Sequence, residues 1–234
     1  MSITSLLLFI FTLIGYFITK KLYRRVPYLI FSPPIFLPII IIIMISILGI
    51  SYDTYMLYNK WLVWLIGPAT VAFALPIYEF RAVIRDHFLS ITFGVIGAMT
   101  TGLIISALLA YLFHFNELIT YSLMARIVST PFAIEVMRSL PEDEVELSIV
   151  LTMITGIVGV FISDVVLTKI KVNHHISRGA AMGTSSQGIG VAKAFLKDRQ
   201  TGVVACLSMI ISGFFMVFFG PFLIQMITNY LNFN

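Results

Sequence analysis

Charge is scarce in this chain: only 11% of its 234 residues are Asp, Glu, Lys or Arg, against about a quarter in ordinary globular domains. With 59% hydrophobic residues and a mean hydropathy of +1.00, that scarcity excludes a soluble domain. What remains is an all-α, polytopic helical membrane protein, read as one transmembrane domain over 1–234. Cysteine is nearly absent. Cys206 alone excludes an intrachain disulfide, and its apolar run suits core packing better than a reactive thiol. No His, Cys, Asp or Glu spacing suggests a metal, no nucleophile has a base nearby, and no cofactor motif is present, so an enzyme is not expected. The formal charge of +4 follows the order of loops and does not gather on one basic face, which excludes a nucleic-acid partner. The first apolar segment lacks a basic leader and a small-residue cleavage site, so it reads as a retained span.

Long apolar runs fill most of the length. Six full spans are expected at Ile3–Thr19, Tyr28–Ile50, Trp61–Phe80, Phe88–Phe113, Leu147–Thr168 and Thr201–Leu223, with the tail from Met226 at the interface. Pro33, Pro34 and Pro38 predict an irregular start to the second, and Gly67-Pro68 and Pro76 interrupt the third. Trp61 and Trp64 suit an outer interfacial belt.

Two further stretches are apolar enough to be embedded but too polar or broken to face lipid. Arg178 to Lys193 carries Gly179, Gly183, Gly188 and Gly190 together with Thr184, Ser185, Ser186 and Gln187, and it reads as a re-entrant hairpin from Gly179 to about Leu196. Leu118–Ser139 holds Arg126, Ser129-Thr130-Pro131 and Glu135, and is the second such element. Charge supports this arrangement. With the N-terminus outside, Lys20, Lys21, Arg24, Arg25, Arg81, Arg85, Lys169, Lys171, Arg178, Lys193, Lys197 and Arg199 face inward, 12 of the 15 basic residues. The acidic run Glu142–Glu146 then lies outside. The two elements would enter from opposite faces, as in inverted-repeat transporters, although no internal sequence repeat supports that symmetry.

Arg126 is the sharpest single residue, because a guanidinium at membrane depth costs about 2.5–3.5 kcal/mol on insertion scales. It reads as a substrate countercharge, as half of an ion pair with Glu79 or Glu135, or as a residue that snorkels to the outer surface. Ser129 and Thr130 before Pro131 look like the cap of a half-helix, against an ordinary proline kink. The Gly183–Gly188 stretch could cradle an anion through backbone N–H groups and hydroxyls, against close small-residue helix packing. Gly183 and Gly188 are both expected to lack room for a side chain. Asp164 is a candidate for ion or proton coupling, against a pair with Lys169, and Glu79 is a second, weaker coupling candidate.

These residues carry a family likeness. Gly49–Tyr55, Gly67–Glu79, Ser129–Pro131 and Arg178–Thr184 with Gly190 resemble the LrgB/CidB family across almost the full chain, in order and in a chain of matching length. The resemblance implies a bacterial cell-membrane protein, described in that family as antiholin-like or holin-associated, modulating murein hydrolase activity and lysis beside a small LrgA/CidA-type membrane partner. Relatives include the plastid glycolate/glycerate translocator and bacterial pyruvate transport systems, which implies small monocarboxylate substrates. The basic position at Arg126 fits that implication. Two positions depart from the family pattern, Gln187 where a His is common and Val191 where a Thr is common; proton relay through such a His is then lost here or placed elsewhere.

Overall fold

The computed structural model describes residues 2–26, 31–72, 74–141 and 144–231. Among them are eleven helices and no strand. Four are long and apolar enough to cross a membrane: α1 (Ser2–Arg25), α6 (Arg81–Leu112), α9 (Glu146–Lys169) and α11 (Arg199–Leu231). The protein is a multi-pass helical membrane protein. By contacts it divides into two compact units, 1–72 and 73–234.

In the first unit α1 packs on α2 (Pro33–Leu48) and α3 (Tyr52–Trp64). A Cβ at Gly15 would lie 2.7 Å from Leu37 Cδ1, so the glycine sets how closely α1 and α2 approach. The second expected span shortens to the 16 residues of α2, because prolines occupy its first turn and Gly49 closes it with φ of 61°. Tyr28–Ile30 lie outside the described residues. Ser51 then caps α3 by accepting the Thr54 N–H at 3.3 Å. The third expected span is no single helix: α3 ends at Trp64 and, after Leu65, α4 (Ile66–Ala72) starts with Gly67 and Pro68 in its first turn, while α5 (Ala74–Glu79) contains Pro76.

The second unit holds three of the four long helices, α6, α9 and α11. Helix α11 is its centre, with 61% of its most apolar stretch buried, against 33% for α6 and 17% for α9. Around it lies a core including Ile91, Val95, Leu103, Met124, Val136, Val203 and Met216. The outer faces of α6 and α9 leave Ile104, Leu108, Ile154, Phe161 and Val165 exposed, as lipid contact requires.

Between these long helices sit two broken elements. The first is α7 (Glu117–Ala125) followed by α8 (Thr130–Arg138), which fits the expected Leu118–Ser139 stretch. Its turning point is half-way down: Ile127 touches Gly102, ten residues before the end of α6, and Arg126 reaches Thr155, nine residues after the start of α9. The second is α10 (His175–Lys197), whose helix breaks at Gln187 with φ of 53° and ψ of −138°. Lys193 and Arg178 both bind Asp164, at 2.8 and 2.7 Å. In a continuous helix those fifteen residues would span about 22 Å, beyond the reach of both side chains to one carboxylate. The chain therefore folds back at Gln187, and a Cβ on Gly190 would run into the Met182 carbonyl of the opposite arm. This is the expected re-entrant hairpin. It enters from the end of α9, whereas α7–α8 enters from its beginning, so the two elements are opposed.

Candidate functional site

The two turning points meet. Gln187 Nε2 donates to the backbone carbonyl of Ile127 at 2.5 Å and to that of Thr184 at 3.2 Å, while Gln187 Oε1 is buried with no partner. Gln187 is only 4% exposed. A positive φ on a residue with a side chain costs on the order of 1–3 kcal/mol and persists only where surrounding contacts impose it. Those contacts come from α9, whose face from Thr152 to Asp164 is built of small and hydroxyl residues. A Cβ on Gly159 would meet the Ser185 carbonyl, one on Gly156 would lie 3.4 Å from the Ser186 carbonyl, and Ser163 Oγ lies 3.5 Å from Ser186 Oγ. The tip of the hairpin thus rests directly on the α9 backbone.

Arg126 follows the last turn of α7 at this junction. Its Nη1 donates to Thr155 Oγ1 at 2.7 Å, and that hydroxyl in turn donates a hydrogen bond to the Leu151 carbonyl at the same distance. Arg126 Nε is buried without a partner, and no carboxylate pairs with the guanidinium among the described residues. The ion pairs considered for it from sequence are used elsewhere: Glu79 binds Arg199, and Glu135 binds Arg138 at 3.2 Å. Helix α8 starts at Thr130 beside this point, with Ser129 as its N-cap residue and Pro131 in the first turn, as expected. The Ser129 side chain makes no capping bond, contrary to the expected role of its hydroxyl; it leaves the first N–H groups without that acceptor. The second arm of α10 also begins at the junction, at Gly188. Two half-helix N-termini and one arginine therefore converge, three features that favour negative charge.

The remaining expected site residues separate by role. Gly183 packs against the Ala205 carbonyl of α11, and Gly179 would place a Cβ 2.6 Å from the Thr201 carbonyl. Close helix packing is thus what those two glycines provide. Gly190 serves the contact between the arms. Gly188 contradicts the expectation of a crowded glycine, because nothing lies within 4 Å of a Cβ there. Thr184 bonds back to the Ala180 carbonyl at 2.9 Å, and Ser185 and Ser186 share a hydroxyl contact at 3.0 Å. Thr184 and Ser185 also line a cavity of about 640 Å³ with Ser90 and Gly94 of α6 and Ser163 of α9. Asp164 does not pair with Lys169, as one reading had it; it binds Arg178 and Lys193, because the folded-back arms bring both cations to it. Sequence reading missed Thr155 and Thr152, which lie on the face of α9 that carries Gly156 and Gly159; that periodicity was the available signal.

The LrgB-like family model matches residues 12–226, nearly the whole chain and both broken elements. The chain belongs to the LrgB-like family. Among its relatives, the uncharacterized protein YwbG of Bacillus subtilis is 29% identical over 224 residues, covering 96% of this chain and 98% of that protein. The holin-like protein CidB of Staphylococcus aureus is 26% identical over 215 residues, covering 90% and 92%. No solved structure gives a significant match.

Proposed function

We propose that this LrgB-like protein is a carrier for small monocarboxylates of the pyruvate, glycolate and glycerate kind, with the anion bound where the two turning points meet. The observation that carries the reading is Arg126: a half-buried guanidinium whose protein partner is a hydroxyl, Thr155, beside two half-helix N-termini. A carboxylate fits that deficit. Its charge offsets the guanidinium, and its two oxygens match the arginine fork. Thr155 holds the fork, Ser129 and Thr130 offer hydroxyls at the start of α8, and Gly188 leaves the start of the second arm open. Gln187, bound to the Ile127 carbonyl, closes the other side, and Thr184 and Ser185 line the cavity next to it. Asp164 and Glu79 are the carboxylates available for ion or proton coupling. The chain sits in the bacterial cell membrane with its N-terminus outside, works with a small LrgA/CidA-type membrane protein, and forms homo-oligomers.

Uptake of labelled pyruvate and glycolate into vesicles containing the chain, with and without that partner, tests the reading. Saturable uptake that Arg126→Ala removes would support it. The second reading is a regulator of a holin-like partner that carries nothing itself, favoured by the name of the staphylococcal relatives, holin-like protein CidB. Vesicles that take up neither acid under any partner condition would favour the regulator.

A further inference from the structure

We infer that Arg178 and Lys193 form a second carboxylate-binding station, which Asp164 occupies as a tethered anion in this structure. Three chain segments build it: Asp164 comes from α9, Arg178 from the first arm of the hairpin and Lys193 from the second. One carboxylate faces two cations, and no second acid bonds to either among the described residues. The cluster keeps one uncompensated positive charge, where Arg178 is 6% exposed at its side chain and its Nε has no partner.

Arg178 does not depend on Asp164 for its position. Its Nη1 donates to the Val172 carbonyl at 3.2 Å and its Nη2 lies 3.4 Å from Thr168 Oγ1, so the guanidinium stays in place when the acid moves away. Only one of its nitrogens contacts Asp164, which leaves the two-pronged match of arginine to a carboxylate unused. The cluster opens to the surface of the fold, since the Asp164 side chain is 40% exposed and that of Lys193 is 28% exposed. A free carboxylate arriving here can displace Asp164 and take both prongs.

The position along α9 gives this station a purpose. Thr155, the partner of Arg126, and Asp164 are nine residues apart on one helix, about 14 Å along its axis. Gly156, Gly159 and Ser163 lie between them, all touched by the tip of the hairpin. The carrier reading supplies the direction: an anion leaving Arg126 passes the tip and is received by Arg178 and Lys193. The binding claim itself does not depend on transport.

The test uses the purified full-length chain with Arg126→Ala, which removes the first station, and pyruvate and glycolate as probes. Acetylation of Lys193 by a water-soluble acylating reagent is followed by peptide mass spectrometry. Either acid should slow acetylation of Lys193 and not of Lys20, and the uncharged pyruvamide should do nothing. Adding Asp164→Asn removes the tethered competitor, so the dissociation constant for the acid should fall about tenfold, and Lys193→Gln should abolish the gain. Acetylation of Lys193 that neither acid slows would overturn the proposal, as would an unchanged dissociation constant in a folded Asp164→Asn protein. If that variant does not fold, protection of Lys193 decides alone. Vesicles without uptake, combined with protected Lys193, would reject the carrier reading and keep the station.

Discussion

The side-chain amide of Gln187 donates to the main-chain carbonyl of Ile127 at 2.5 Å, tying together two turning points that are 60 residues apart in sequence. Replacing it with Leu keeps the bulk and leaves that buried carbonyl unpaired. A cost of about 1–3 kcal/mol is expected. Thermal unfolding of the purified protein in detergent measures it, and an unchanged midpoint would show that the tips are held by α9 alone.

Two glycines four and one residues from that bond should behave oppositely. Gly183→Ala drives a methyl into the Ala205 carbonyl and should cost about 1–3 kcal/mol, whereas Gly188→Ala enters open space and should be tolerated in stability. Comparing the two midpoints checks the pair. Equal loss in both would mean that the hairpin tip is packed differently.

Arg126→Lys retains the charge and discards the planar fork. Uptake of pyruvate or glycolate should weaken by about 1.5–3 kcal/mol, roughly 10- to 100-fold in apparent affinity. Thr155→Val, which removes the hydroxyl that orients Arg126, should move affinity in the same direction by less. Full uptake by Arg126→Ala would remove the arginine from the site.

Asp198 precedes α11 and caps it, accepting from the Thr201 N–H at 2.7 Å and from the Thr201 hydroxyl at 2.6 Å. Burial pushes its carboxyl up, but the Thr201 bonds and the nearby His175 and Lys197 charges outweigh that and hold it below the ordinary value. A depressed folded value stabilises the protein above the unfolded value of about 3.9 and is lost as pH falls through the folded one. Asp198→Ala should therefore cost about 1 kcal/mol at neutral pH, and the difference from wild type should shrink below about pH 4. A constant difference down to acid would show that the cap acts without its charge.

Topology is checked by single cysteines in a Cys206→Ser background, a substitution at a fully buried position. A membrane-impermeant reagent outside intact cells should label a cysteine at Glu144 and spare one at Asn173. The reverse pattern would invert the orientation argued from the basic loops.

Sequence alone determined the solvent of this protein and the location of its irregular segments. Eleven per cent charge cannot clothe a soluble domain, and a glycine- and hydroxyl-rich stretch such as Gly183–Gly190 cannot face lipid as a plain helix, so both broken elements were legible from composition. Their opposed entry followed from the positions of Lys169, Lys171 and Arg178. Tertiary structure decided which polar group meets which. Asp164 lies five residues before Lys169, yet pairs with residues 14 and 29 positions further on, because the reversal at Gln187 brings them together. Gly183 and Gly188 look alike in sequence, but α11 crosses only the first. Arg126 carries no mark of its partner, since a hydroxyl one helix away was as compatible with its neighbours as a carboxylate. Such pairings depend on distances between segments far apart along the chain, which local propensity and periodicity do not encode.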